Sequence, residues 1–561
     1  DGFGSAARET AASRKTHSDM TAVEGLLSMA VLKDKCLPQT THQRIEHIHE
    51  SLLFYDEHTF GASESVSDPL CENSQVQWGE KSAYAWEAVK RTQMLYETSV
   101  GLLQGDLRRG KNPTLTIFNT LNWKRSEMLT VYIDFEVIPR NQFFEITDFQ
   151  GHSLKVQPIR YRREGCYYAI FAEDIPPMGY KTFEIVFKQP STDTGTVTIN
   201  NASIENHFYK LQLNPDKGTI QSLYDKELNC ELVDSSSPWE LGAFIYEKLG
   251  NRDQLAQYRL DDYNRTGLSE CRIIDSSNGP IYQRILLQGK SPGTDEAFGV
   301  NLEIKLYHDT KRIELEYAIK RLPETEPSGI YVAFPFQLPE GKLAFDVQGG
   351  TVISGKNQLE GTSTDWNTVQ NFVSVQNNRA QIIIGSSLIP LYQLGDINLG
   401  KFQYQKQYER PHVYSWVMNN YWNTNFKASQ EGEFRWSYHL TSSVAPSNNL
   451  ATKFGWSSRI PLYTRVMPTG TENHKPTEYS AFHFEKDNFL MTSCTPSKEE
   501  GYILLNIREI DGKRTNLRIL NEDGQTVPFT IVNAIEEKLE NETSEHIFEG
   551  YQNKFIKIKR F

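Results

Sequence analysis

The chain has 561 residues, of which 38% are hydrophobic, 12% aromatic and 23% charged, and its formal net charge is −12 at pH 7. This length exceeds what one hydrophobic core serves, so we expect a soluble globular protein of roughly two to four domains. An acidic chain without a basic stripe is not expected to bind nucleic acid. No apolar run in the sequence is long enough to predict a membrane span.

The six cysteines are dispersed and form no Cys-x-x-Cys pair, so they indicate neither a zinc ribbon nor a disulfide framework. The chain opens on Asp1 rather than on a methionine, and it does so in the middle of a pattern. We therefore expect a segment to precede it, and the compartment is left open between a cytoplasmic location and a periplasmic or extracellular one.

Residues 1–110 carry the pattern of a three-helix bundle. Apolar residues recur at helical spacing from Met20 to Ala30, from Ile45 to Leu52 and from Ala85 to Leu103. Thr40 and Gln43 fit a capping box at the start of the second helix. Three helices within about a hundred residues predict a small antiparallel bundle whose apolar residues form its core.

After Asn112 the apolar period changes from that of a helix to the period of two that is typical of strands. Alternating runs include those from Leu129 to Phe135, from Leu302 to Leu306 and from Phe434 to Leu440. They predict half-buried antiparallel strands, and the fold class is α+β, with a helical bundle followed by large β-sandwich domains. The predicted domains are the bundle at 1–110 and three sandwiches at 111–192, 193–448 and 449–561.

The second predicted helix ends in a cluster of two acids and one imidazole, Asp56, Glu57 and His58, followed shortly by Gly61. An imidazole nitrogen of His58 would be able to ligate a divalent metal ion, with Asp56 or Glu57 orienting the ring from the second shell. The alternative is that both acids are solvated and His58 interacts with the helix C-terminus. The residues alone favour this second interpretation.

A second segment, from Trp416 to Phe426, combines aromatic residues with four asparagines. Sugars bind to such surfaces, because flat aromatic rings meet the apolar face of a pyranose while amides hydrogen-bond to its hydroxyls. The candidate substrate-binding residues are Asn419, Asn420, Tyr421, Trp422 and Asn425. The alternative is a sandwich-core strand followed by an asparagine-rich turn, and both interpretations stay open.

Several stretches together resemble the middle and C-terminal portion of glycoside hydrolase family 38, the retaining α-mannosidases, in its bacterial form. The matching stretches follow in the expected order along the chain: 1–6 (DGFGSA), 56–61 (DEHTFG), 204–209 (IENHFY), 220–228 (IQSLYDKEL), 330–336 (IYVAFPF) and 418–426 (MNNYWNTNF). The resemblance implies a three-helix bundle and β-sandwiches of the galactose mutarotase-like supersandwich type. It also implies an N-terminal α/β barrel-like domain, which this sequence does not supply.

In that family the catalytic nucleophile and a His-x-Asp zinc motif belong to the N-terminal domain, so no catalytic residue is expected in this chain. The resemblance implies that His58 is one ligand of a shared zinc ion, with Asp56 and Glu57 in the second shell. The implied function is part of a zinc-dependent hydrolase of α-mannosidic bonds, acting on mannose-containing oligosaccharides by double displacement. The alternative is a non-catalytic β protein that binds carbohydrate or serves as a scaffold.

Overall fold

A computed structural model describes residues 2–189 and 202–561. Three long helices form the predicted bundle: α1 (Ala7–Leu32), α2 (Thr41–Asp56) and α3 (Glu72–Leu103). Short 3₁₀ turns precede α1 at Gly2–Ala6 and follow α3 at Gln104–Asp106. Helix α2 begins where predicted, but the Thr40 side chain makes no capping hydrogen bond, so the predicted capping box is wrong.

Helix α1 is buried on more than one side, because the bundle packs against one face and a C-terminal β-sheet against another. Val23 and Leu27 pack with α2 and α3, whereas Leu26 and Met29 pack with apolar strand residues that include Phe489. In the described part of the chain, no helix is long and apolar enough to cross a membrane.

Strands follow the bundle, as the change of period predicts. The first group comprises β1 (Thr114–Asn119), β2 (Arg125–Asp134), β3 (Phe143–Thr147), β4 (Lys155–Tyr161), β5 (Gly165–Ile175) and β6 (Gly179–Lys188). The second group begins with β7 (Ser203–Glu205), β8 (Tyr209–Asn214), β9 (Thr219–Asp225), β10 (Cys230–Glu231), β11 (Phe244–Leu249), β12 (Tyr263–Thr266), β13 (Ser269–Asn278), β14 (Tyr282–Lys290), β15 (Val300–Tyr307) and β16 (Ile313–Arg321).

The second group continues with β17 (Ser328–Phe334), β18 (Lys342–Val347), β19 (Gly350–Ile353), β20 (Asn367–Thr368), β21 (Phe372–Gln376), β22 (Gln381–Gly385), β23 (Leu391–Leu394), β24 (Val413–Asn419) and β25 (Gly432–Ser443). The last group comprises β26 (Tyr463–Met467), β27 (Glu478–Ser480), β28 (His483–Phe484), β29 (Phe489–Pro496), β30 (Tyr502–Glu509), β31 (Thr515–Leu517), β32 (Ile519–Leu520), β33 (Thr530–Val532), β34 (His546–Phe548) and β35 (Asn553–Lys559).

The strands of the described ranges pair antiparallel, and the predicted α+β class of a bundle followed by β-sandwiches is confirmed. The large sandwich packs a nine-stranded sheet, β13-β14-β15-β16-β25-β22-β21-β18-β19, with a six-stranded sheet, β12-β11-β17-β24-β23-β20. Strand β24 is buried along its whole length inside the six-stranded sheet, and its last residue, Asn419, opens the loop that carries the candidate sugar-binding residues.

Two features cross the predicted domain boundaries. Strands β26 and β27 return to the sheet of β1 and β6, so residues after 449 complete the first sandwich. Helix α4 (Asn448–Arg459) spans the boundary predicted between 448 and 449, and Ser447 caps it by accepting a hydrogen bond from the Leu450 N–H at 3.1 Å. The boundary predicted between 192 and 193 lies outside the described residues, and the domain boundaries remain predictions.

Candidate functional site

Three segments that are far apart in the sequence meet at one end of the bundle: the turn Gly2–Ala6, the loop 57–61 after α2, and the loop 419–430 after β24. The Phe60 N–H donates to the carbonyl of Asn425 at 3.2 Å. The Phe60 ring centroid lies 5.3 Å from that of Phe3 and 6.2 Å from that of Phe426, both in edge-to-face geometry. Contacts of this kind fix the loops relative to one another.

The turn Gly2–Ala6 approaches the end of β24 so closely that it needs glycine. A Cβ on Gly4 would lie 2.2 Å from Nδ2 of Asn419. Gln430 ties the two segments together, because its amide nitrogen donates to the carbonyls of Gly4 at 2.8 Å and Asn419 at 3.0 Å. Its amide oxygen accepts a hydrogen bond from the Ala7 N–H at 2.9 Å.

His58 lies on the surface of this junction, and 91% of its side chain is exposed to solvent. Its Nδ1 lies 2.8 Å from Oε1 of Glu57, which leaves Nε2 directed away from that carboxylate. A histidine held by a carboxylate through one ring nitrogen and open at the other is the arrangement that metal-ligating histidines adopt. The position therefore fits one ligand of a metal ion.

Glu57 is held in turn by Lys81, a buried residue of α3. The Lys81 ammonium donates to the carbonyls of Phe54 at 2.9 Å and Glu57 at 2.7 Å, and lies 3.2 Å from Oε2 of Glu57. Partial desolvation opposes ionisation of Glu57, but hydrogen bonds from Thr59 and Lys81 lower its pKa to about 2. The carboxylate is thus ionised across the neutral range and stays an acceptor.

Asp56 points toward α1 instead of toward His58. Its carboxylate accepts a hydrogen bond from the Ser13 hydroxyl at 3.1 Å and lies 2.8 Å from Nε2 of His17. Of the two acids predicted to orient the His58 ring, Glu57 is the one that contacts it. Within the described ranges, no group of three His, Cys, Asp or Glu side chains is placed to hold a metal ion. These residues therefore fit a single ligand, His58, and not a complete metal site.

Two predicted sugar-binding residues have their polar groups engaged inside the fold. The Asn420 amide nitrogen donates to the carbonyls of Glu324, Glu326 and Ala428, and its oxygen accepts from the Ser328 N–H at 2.7 Å. The Tyr421 hydroxyl is buried and donates to the Glu247 carboxylate at 2.6 Å. Asn419 is also buried, at 1% exposure. This part of the segment fastens the loop to the sheet.

The outer part of the loop offers more surface. Trp422 is half-buried and packs against Trp366, with ring centroids 5.8 Å apart. Asn425 is half-buried, accepts a hydrogen bond from the Thr424 hydroxyl at 2.9 Å and shares a backbone hydrogen bond with Phe60. Trp422 and Asn425 are therefore the members of the predicted set best placed to contact a ligand.

Sequence reasoning did not identify the residues that assemble the junction. Phe3, Phe60 and Phe426 lie in three different segments, and no local pattern connects them. In the sequence, Lys81 is an ordinary polar residue of a long predicted helix, and Gln430 is an ordinary loop residue. Lys81 contacts Glu57, 24 residues away, and Gln430 contacts Gly4, 426 residues away, so only the tertiary structure shows these roles.

Comparison with known proteins agrees with the resemblance found in the sequence. Residues 1–103 match the family described as "Alpha mannosidase middle domain", and residues 204–402 match "Glycosyl hydrolases family 38 C-terminal domain". No curated protein matches the chain significantly at the sequence level.

Two solved structures share the fold over the whole chain. The chain is similar to an alpha-mannosidase from Enterococcus faecalis V583, with a TM-score of 0.75 at 13% identity, covering 100% of this chain and 68% of that one. It is also similar to a protein in the glycosyl hydrolase family 38 from Enterococcus faecalis, with a TM-score of 0.74 at 14% identity, covering 100% and 71%. At these identities the likeness shows the fold, and the two family matches supply the assignment. The chain therefore belongs to glycoside hydrolase family 38, and it carries the middle and C-terminal domains of that family's α-mannosidases.

Proposed function

We propose that this chain is the part of a zinc-dependent retaining α-mannosidase that supplies one metal ligand, His58, and the walls of the substrate cleft. The substrate would be a mannose-containing oligosaccharide with α-mannosidic bonds. The catalytic nucleophile is assigned to no residue of this chain, because the resemblance places it in a barrel-like N-terminal domain.

The observation that carries this proposal is the meeting of three family-like segments, 2–6, 56–61 and 418–426, at one junction. His58 is the exposed imidazole at that junction, and Trp422 and Asn425 border the same loops. A metal-assisted glycosidase combines a metal ligand with an aromatic ring and an amide, since the metal and the amide contact sugar hydroxyls and the ring contacts the apolar face of the sugar.

When bound, zinc would supply a Lewis acid that grips hydroxyls of the reacting sugar. Glu57 holds Nδ1 of His58 and so presents Nε2 as the ligating atom. Lys81 fixes the backbone of residues 54–57 and thereby sets the direction in which His58 leaves the helix end. Trp422 offers a flat apolar face against which a pyranose ring would lie.

The test compares two exposed histidines that both pair with a carboxylate through Nδ1. His58→Ala is the test variant, and His152→Ala is the matched control, because His152 is 82% exposed and lies 2.8 Å from Asp148. The variants are made in the protein together with any segment encoded upstream of Asp1. Bound zinc is measured by elemental analysis after dialysis, and hydrolysis is followed with an aryl α-mannoside.

We expect His58→Ala to lose most of the zinc and to lower kcat by roughly a hundredfold or more, with His152→Ala unchanged in both. Unchanged zinc content in His58→Ala would refute the ligand assignment. Hydrolysis that survives complete removal of zinc by a chelator would refute zinc dependence. Binding of mannosides without hydrolysis by any form of the protein would favour the alternative of a carbohydrate-binding scaffold.

A further inference from the structure

A cavity of about 580 Å³ lies where the bundle, the large sandwich and the C-terminal sheet meet. Its walls come from α1, α2, β18, α4, β29 and β30 and from the start of β35. None of the residues assigned to the candidate site lines it. Its volume is that of a small-molecule pocket, and its walls are rich in charged and amide side chains.

Arg508 is the main feature of this cavity. The residue is only 6% exposed, and among the described residues its guanidinium finds no hydrogen-bond acceptor. The nearest carboxylate is that of Asp346, whose Oδ1 lies 3.8 Å from Nη2 of Arg508, beyond hydrogen-bond distance. Burial lowers the pKa of Arg508, which is the sign of a cation short of compensation.

A second guanidinium, that of Arg459, borders the same carboxylate. Arg459 donates to the Ser18 hydroxyl at 2.6 Å and to the amide oxygen of Asn371 at 3.3 Å. The amide nitrogen of Asn371 donates to Oδ2 of Asp346 at 2.5 Å. The buried carboxylate of Asp346 thus faces two guanidinium groups, those of Arg459 and Arg508.

The other acid of the cavity wall, Glu24, does not contact Arg508. It lies 2.6 Å from Nε2 of His49, and this hydrogen bond raises the pKa of the imidazole. Buried charge without a counter-charge is unfavourable, and proteins normally neutralise it. The cavity therefore suits a ligand with an anionic group.

The remaining wall residues suit a hydroxylated ligand. Trp456 contributes an indole ring, and Asn506 and Asn553 contribute amides. Asn553 is exposed and is the cross-strand partner of Arg508 in the pairing of β30 with β35, so the two side chains are neighbours on one face of the sheet. Amides beside an aromatic ring are the groups that recognise sugar hydroxyls.

We propose that this cavity is a second binding site, separate from the mannosidase cleft, for a sugar bearing a single carboxylate or phosphate group. The anionic group would sit on Arg508, and the sugar hydroxyls would contact the amides of Asn506 and Asn553. Because the walls come from three parts of the fold, the ligand would connect the bundle to the large sandwich and to the C-terminal sheet. This proposal does not depend on whether the chain takes part in hydrolysis.

The test is isothermal titration calorimetry on the 561-residue chain with four probes: D-glucuronate, mannose 6-phosphate, D-mannose and inorganic phosphate. We expect both acidic sugars to bind, with mannose and inorganic phosphate weaker by roughly tenfold or more. Whichever acidic sugar binds more tightly identifies the carboxylate or the phosphate as the natural group.

Substitution of the neighbour of Arg508 tests the location without disturbing a buried residue. Asn553→Glu places a carboxylate beside the guanidinium and is expected to weaken the acidic sugars by roughly tenfold, whereas Asn553→Gln stays within roughly twofold. Arg508→Gln is expected to abolish binding, and Arg514→Gln, at a side chain 67% exposed, is its control.

Three results would overturn the proposal. Mannose that binds as tightly as glucuronate would show that Arg508 recognises no anion. An acidic sugar that binds Asn553→Glu as well as the unsubstituted chain would place the ligand elsewhere. No measurable heat with any probe, for a chain whose circular dichroism shows it folded, would mean that the cavity holds water only.

Discussion

Lys81 supports the candidate metal ligand from a distance, and its removal gives a quantitative test of the geometry. The Lys81→Met variant keeps the aliphatic stem but loses the ammonium, which donates to two carbonyls at the end of α2 and contacts the Glu57 carboxylate. A hydrogen bond from a charged donor contributes about 1.5–3 kcal/mol, and part of this is offset by the desolvation of the buried ammonium. We expect a net loss of about 1–3 kcal/mol in the local stability of residues 53–61.

Removal of the Lys81 ammonium also affects metal binding, because Lys81 contacts Glu57 and Glu57 contacts His58. Without Lys81, Glu57 keeps only its bonds to Thr59 and His58, so the imidazole is less firmly oriented. Loss of an outer partner typically weakens a metal site by about 10–100-fold, and we expect a fall of that size in zinc affinity. Fluorescence competition with a zinc chelator measures it. Amide hydrogen exchange of residues 53–61 in zinc-free protein measures the loosening separately.

Lys90→Met is the matched control on the same helix, because Lys90 is exposed and its ion pair is with Glu87 on the surface of α3. It should leave both measurements unchanged. If Lys81→Met keeps the zinc affinity and the exchange rates of the parent protein, then the contacts of Lys81 do not position His58, and the reasoning is refuted.

Three further predictions concern stability. Burial raises the pKa of Asp346 from its usual 3.8 to about 6, so the folded protein retains a proton that the unfolded chain releases, and stability should fall as the pH rises from about 4 through 6. The Asp346→Asn variant should therefore gain up to about 3 kcal/mol of stability relative to the parent protein between pH 4 and pH 7. Thermal unfolding measures this gain, and a Tm difference that does not change with pH would contradict it. The Asn420→Ala variant should lose about 2 kcal/mol of unfolding free energy because it leaves buried backbone groups unpaired, whereas Asn423→Ala, at an exposed residue, should lose little. An unchanged Tm with a raised KM in Asn420→Ala would instead make Asn420 a substrate contact. The Gly4→Ala variant should destabilise the protein by about 1–3 kcal/mol because the added Cβ meets Asn419. The Gly79→Ala variant, in helix α3 where the added Cβ meets no other atom, should stabilise it by about 0.5–1 kcal/mol. Equal Tm shifts for the two variants would show that the turn tolerates a side chain.

The amino-acid sequence determined the parts of this protein that depend on local periodicity. The apolar spacing from Met20 to Ala30 predicted α1, and the alternation from Leu302 to Leu306 predicted β15, because each pattern matches the geometry of its element. Helix α4 was not predicted, although the Ser447 cap is visible in the sequence, since its 12 residues stand between long runs of strand pattern.

Within the candidate site, the sequence identified His58 and Glu57 because they are adjacent, and adjacent residues can be paired without knowing the fold. It paired Asp56 with them for the same reason, yet the helix turns that side chain toward His17 on α1. Only the tertiary structure decided that Asn420 and Tyr421 serve the interior, because Ser328 and Glu247, which they contact, lie more than ninety residues away in other strands.

The tertiary structure alone also brought the turn 2–6, the loop 57–61 and the loop 419–430 to one junction, and placed Arg508 opposite Asp346 in the interdomain cavity. Such contacts join segments separated by 57 to more than 400 residues, and no local pattern in a single sequence encodes a separation of that length. Periodicity specifies the elements, while the packing of buried surfaces between them decides which side chains meet.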